Sequence, residues 1–190
     1  LGWADLERQI PMSTNTVMWI ASMTKPMTAA LVLSLCDEGR CTLDDPLARW
    51  LPEFQGLMTS NGTPPSPAPT LRHLLTHTSG LETPPAPRWD ASLAEVVAAS
   101  ATRPLRFQPG TRWEYSNGGI NALGRVVEVI EGAPFAEVLR RRLLEPLGMR
   151  DTTFWPEGDL TNRLATAYER DEHGVLRPTG IYFLHGPLSD

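Results

Sequence analysis

Lysine is almost missing from this chain: of its 17 basic residues only Lys25 is a lysine, and the others are arginines. Cysteine is equally scarce. Two of them, Cys36 and Cys41, are too few for a disulfide framework or a zinc site, and the 4 histidines show no metal-ligand spacing, so neither a metal nor a cofactor is expected. Both cysteines read as small apolar residues, the alternative being a local Cys36–Cys41 bridge that demands a particular geometry of helix end and turn. No apolar run is long enough to cross a bilayer, and no charged segment followed by an apolar one opens the chain. These absences fit a soluble globular protein. Because the first residue is Leu1 and not Met, a removed leader stays open, and so does the compartment, cytoplasmic or periplasmic and secreted. A formal charge of -5 is mild. The one basic run, Arg140 to Arg142, falls in an amphipathic pattern and reads as a solvated helix face, which excludes nucleic acid as the expected partner.

What is present is organised by proline and glycine, without internal repeats. The β-branched and aromatic run "TVMWIAS" is expected to end a strand, and an apolar-periodic helix is expected from Ser22 to about Glu38, stopped by Gly39. Pro26 sets the register, because proline fits only among the first helical N–H groups, which lack an intrahelical partner. Ser22 is thereby placed at the helix N-terminus. Two proline-rich stretches, Asn61 to Thr70 and Thr83 to Asp90, read as surface loops around a short helix at Leu71 to Thr76. Further helices are expected at Ser92 to Ala101, along "INALGRVVEVIEG" with Ile120, Leu123, Val127 and Ile130 on one face, and along "PFAEVLRRRLLEPLG" between Pro134 and Gly148. The tail from Thr152 reads as strands or extended loops with a turn at "DEHG".

Residues three apart on a helix share a face, so Ser22 and Lys25 point into the same space. A serine hydroxyl is a weak nucleophile until a base takes its proton. Lysine can be that base where burial and dipoles favour its neutral form, whereas arginine cannot be deprotonated, which explains a lone lysine in an arginine-preferring chain. The positive end of the helix favours a serine alkoxide as well. A second cluster, "PGTRWEYSNGG", puts Tyr115 and Asn117 two residues apart in a turn-rich loop before a helix. A tyrosine beside an ammonium can act as base and acid, and an asparagine can hold both the lysine and a substrate amide or ester. Ser22, Lys25, Tyr115 and Asn117 together make an acyl-transfer constellation without histidine.

The phrases "IASMTKPMTA", "LDDPLARWLPEF", "TLRHLLTHTSGL", "PGTRWEYSNGGINALGRVVE" and "LLEPLGMRDTTF", spanning nearly all of Ser13 to Phe154, resemble the class C β-lactamase-related serine hydrolases, which include carboxypeptidases, D-aminopeptidases and esterases. The resemblance implies an α+β, β-lactamase/transpeptidase-like fold, with Ser22 the acylated nucleophile, Lys25 its base partner, Tyr115 the general base and acid, and Asn117 the substrate and lysine contact. His77, in "HTSG", resembles a framework residue. The family's third motif, Lys-Thr-Gly or His-x-Gly on a sheet strand, has no counterpart: "RPTG" (Arg177 to Gly180) and "HGP" at His185 do not fit. Residues 1–190 are expected to be one domain, incomplete at both ends, holding the helical part and nucleophile helix with much of the antiparallel sheet absent.

Two functional readings follow. In the first the chain is a serine hydrolase working through an acyl-enzyme on a small ester, amide or β-lactam. In the second it is a binding protein or inactive fragment that keeps the helical domain. The absence of G-x-S-x-G argues against an ordinary α/β-hydrolase. The division of base duty between Lys25 and Tyr115, and the oligomeric state, stay open.

Overall fold

The computed structural model describes residues 2–85, 88 and 90–179. Two short strands, β1 (Trp3–Asp5) and β2 (Ile10–Pro11), come first, followed by a 3-10 turn at Ala21–Met23 that runs into α1 (Thr24–Asp37). Next are α2 (Leu47–Trp50), a 3-10 turn (Pro52–Phe54), α3 (Leu71–Leu75), α4 (Leu93–Ala101), α5 (Asn117–Glu131) and α6 (Phe135–Leu139), which widens into a π turn over Arg140–Leu144. Last are α7 (Asp159–Asn162), β3 (Tyr168–Arg170) and β4 (Leu176–Pro178).

The described residues gather into two compact units, one built from the residues up to Ser22 together with those from Met149 onward, the other from Met23–Gly148. In the first, β1 and β2 form an antiparallel ribbon and β3 and β4 a hairpin. The ribbon and the later segment are joined through Asp5, whose carboxylate accepts the Thr166 hydroxyl and the Arg8 amide, each at 2.7 Å. The hairpin turns at Asp171, whose Oδ1 accepts the amides of His173 (3.0 Å) and Val175 (2.8 Å), where "DEHG" signals a turn.

The second unit is helical and is arranged around α5, which packs against α1, α2, α3, α4 and α6. Its core joins Leu31, Val32 and Leu35 of α1 to Leu71 and Leu74 of α3, Val97 of α4, Leu123, Val126 and Val127 of α5, and Val138 and Leu139 of α6. Burial of such side chains, at about 25 cal/mol per Å² of apolar surface, is what makes short helices stable here. The helix ends follow their local chemistry. Ser92 caps α4 and exchanges bonds with Glu95 on both backbone and side chain, and Thr70 does the same for α3 with His73. Gly39 (φ 73°) and Gly132 (φ 68°) end α1 and α5 in the left-handed conformation.

Several expectations change in detail. The strand expected to end in "TVMWIAS" reduces to one residue: Val17 donates to Arg163 O (2.9 Å) and accepts from Ala165 N (2.8 Å) in an isolated parallel bridge to Leu164. Extended pairing stops because the chain must turn at Ala21, with φ 44°, into the helix. Asn117, expected in the loop before α5, is its first residue, because Ser116 caps the helix by accepting Gly119 N–H at 3.0 Å. The buried face of α5 is Gly118, Gly119, Ala122, Leu123, Gly124, Val126 and Val127, with Ile120 and Ile130 only half buried at its border. The arginine run is paired and not merely solvated: Arg141 reaches Glu131 at 2.6 Å, Arg142 reaches Glu131 at 2.8 Å and also Glu38, and Arg140 pairs with Glu145. Cys36 and Cys41 are free thiols whose sulfurs approach to 3.0 Å across the Gly39 turn. Of the two third-motif candidates, Arg177 lies on β4, while Gly180 and His185 fall outside the described residues.

Candidate active site

The lone lysine is the second residue of α1, in the helix turn whose N–H groups have no intrahelical acceptor. Pro26, third in the helix, therefore sacrifices no helical bond. Ser22 stands exposed in the 3-10 turn immediately before. The residue ahead of it, Ala21, holds a positive φ of 44°, a conformation that non-glycine residues adopt at a cost of about 1–2 kcal/mol. Strain of this kind is concentrated in proteins at functional turns.

The loop Arg112–Ser116, which leads into α5, meets the start of α1. Lys25 Nζ lies 4.8 Å from the centroid of the Tyr115 ring, a cation–π contact. Tyr115 is 47% exposed, a large aromatic left open where core packing would bury it. Its other neighbour is His77, whose ring stacks on that of Tyr115 with centroids 4.8 Å apart and planes at 27°. Ser116 N–H donates to His77 Nδ1 at 3.2 Å, which requires that nitrogen to be unprotonated. Burial, reinforced by the charge of Lys25, holds the His77 pKa below its ordinary value, in agreement with that bond. Asn117 is exposed two residues beyond Tyr115.

The helical unit thus brings Lys25 and Tyr115 together, sets Asn117 at the start of the helix that follows, and adds His77. Sequence reasoning assigned His77 to the framework, and its contact with Tyr115 depends on packing between segments 38 residues apart. The only signal was its place in "HTSG", a turn rich in small residues. Among the described residues no three of His, Cys, Asp and Glu gather as a metal site would require. No described helix is long and apolar enough to cross a membrane. A shallow depression lined by Gln55, Met58, Arg103 and neighbours contains none of the four candidate residues.

The fold is that of the β-lactamase and penicillin-binding-protein class. The hydrolase EstCE1, described as having promiscuous acyltransferase activity, superposes with a TM-score of 0.82 and 30% identity over 94% of this chain and 49% of its own. The chain belongs to the beta-lactamase family, which it matches over residues 1–182. It is similar to esterase EstB of Burkholderia gladioli, 38% identical over 80% of this chain and 42% of that protein. It is similar as well to the D-alanyl-D-alanine-carboxypeptidase/endopeptidase AmpH of Escherichia coli, 35% identical over 80% of this chain and 40% of that protein. The chain accordingly spans about half the length, or less, of the relatives it matches.

Proposed function

We propose that this chain carries the nucleophile-bearing part of a serine hydrolase that acts on small esters or amides through an acyl-enzyme on Ser22. The observation that carries the reading is the pairing of the sole lysine with Tyr115, three residues after a serine in a strained turn. In the reaction, Ser22 Oγ attacks the substrate carbonyl carbon while its proton passes to the Lys25–Tyr115 pair. The tetrahedral intermediate collapses as that pair returns the proton to the leaving alcohol or amine. Water then attacks the acyl carbon, gives its proton to the same pair, and releases the acid as Ser22 regains its own. Asn117 would orient the substrate carbonyl or amide. The relatives named as an esterase and a carboxypeptidase support ester and amide carbonyls as the substrate class.

The test is hydrolysis of a short-chain p-nitrophenyl ester, together with labelling by a fluorophosphonate. Ser22→Ala is expected to lower the rate about 1,000-fold or more and to abolish labelling. Tyr115→Phe, which keeps the ring and removes the hydroxyl, is expected to cost about 100-fold or more. Labelling that persists in Ser22→Ala would overturn the assignment of the nucleophile, and well-folded wild-type chain without labelling would favour the binding-protein reading.

A further inference from the structure

One residue holds Tyr115 from three directions. The backbone carbonyl of His77 accepts the amide of Glu114 at 2.9 Å, its Nδ1 accepts the amide of Ser116 at 3.2 Å, and its ring lies against the Tyr115 ring at 4.8 Å. The amides on both sides of Tyr115 therefore end on the same histidine. We infer that His77 is the positioning residue of Tyr115: it holds the N–H groups of the residues before and after the tyrosine and supports one face of its ring, leaving Lys25 to contact the ring.

The backbone of His77 is consistent with a device of this kind. Its φ is 57°, in the left-handed region that non-glycine residues rarely adopt, although histidine and asparagine do so more readily than most. That conformation is held by the turn leaving α3, where His77 N–H donates to Leu74 O at 3.3 Å. A histidine that only filled space would not need its ring nitrogen aimed at an amide of the tyrosine loop. Trp113 meets the same imidazole edge-on at 6.1 Å, so the ring is flanked by two aromatics of one loop. The half-buried setting and the nearby Lys25 charge lower the imidazole pKa, the direction that acceptance of the Ser116 amide requires.

This inference rests on the proposed role of Tyr115 as acid and base, but its structural half can be read without any catalysis. Two variants separate the contributions. His77→Ala removes ring and acceptor and strains the left-handed turn. His77→Asn tolerates that turn and offers Oδ1 to the Ser116 amide, while losing the stacked ring. The first measurement is the NMR signal of the Tyr115 ring, assigned by its loss in Tyr115→Phe. It is expected to shift in both variants, because each removes the imidazole beneath it. The second is the maximal rate of fluorophosphonate labelling at Ser22 with the apparent affinity of the reagent. The maximal rate is expected to fall about 10- to 100-fold in His77→Ala with affinity nearly unchanged, and to recover to within about fivefold of wild type in His77→Asn. A Tyr115 signal unmoved in His77→Asn, a wild-type labelling rate in His77→Ala, or equal losses in both variants would overturn the inference. Absence of labelling in the wild-type chain would count against the proposed function alone, and the ring signal would still decide whether His77 holds Tyr115. Should His77→Ala fail to fold, the Asn variant carries both measurements.

Discussion

Gly118 sits where a side chain has no room: a Cβ built there would lie 2.5 Å from the Glu82 carbonyl oxygen and 3.3 Å from Thr83 Oγ1. The same glycine donates its N–H to Thr83 Oγ1 at 2.7 Å, fastening the start of α5 to the loop that follows α3. Gly118→Ala must therefore push backbone away from backbone, and it is expected to destabilise the chain by about 1–3 kcal/mol, read as a lower denaturant midpoint with an unchanged slope. The two cysteines allow a separate check. Burial, followed by the hydrogen bond to Cys36, pushes the Cys41 thiol up to about 12, while Cys36 is the more accessible of the two. Since the thiolate is the nucleophile, iodoacetamide at pH 8 is expected to modify Cys36 first and Cys41 only on unfolding, as peptide mass mapping would show. Comparable rates at the two sites would contradict the burial.

Helix ends carry the ionic structure. Glu131, the last residue of α5, has a side chain only 6% exposed and gathers Arg40, Arg141 and Arg142 from the turn after α1 and from the π turn after α6. Burial acts to raise its pKa, but the charges of Arg142 and Arg40 outweigh it and hold the carboxyl below its ordinary value of 4.5. A carboxylate depressed in the folded state contributes stability that is present above its unfolded pKa and is lost as pH falls through the folded one. Glu131→Gln is thus expected to cost about 1–2 kcal/mol at pH 7, discounted for the partly exposed arginines, and to flatten the loss of stability below pH 4.5. Denaturation midpoints at pH 7 and pH 4 give both values; a variant with the native slope against pH would remove Glu131 from the account. Element by element, the helices were legible because proline, glycine and capping residues mark their ends: Pro26, Gly39, Ser92 and Gly132 all act where the sequence places them. The start of α5 was misplaced, since Ser116 was read as part of a turn when its side chain closes a cap. The strand at Val17 was overstated because its partner, Leu164, is remote in sequence and no local pattern announces it.

At the scale of the molecule, α5 is the element on which the helical unit depends, packed by five other helices and fully burying Leu123 and Val127. Its central amides should open only with the unit as a whole, so hydrogen exchange is expected to be slowest at Leu123, Val126 and Val127 and fastest in the proline-rich loop Asn61 to Thr70. Exchange at α5 as rapid as in that loop would refute this hierarchy. Of the candidate site, Ser22, Lys25, Tyr115 and Asn117 were nameable from spacing and residue chemistry. The cation–π contact and the His77 support were not, for they exist only once α1, α3 and α5 share a core.

The division of the chain sets an order of events during synthesis. Asp5 and Val17 find their partners Thr166 and Leu164 only after the 126 residues Met23–Gly148 have been made. At about 5–20 residues per second that is a delay of roughly 6–25 seconds. The helical unit, continuous in sequence, has that interval in which to fold before Asp5 and Val17 can reach their native contacts.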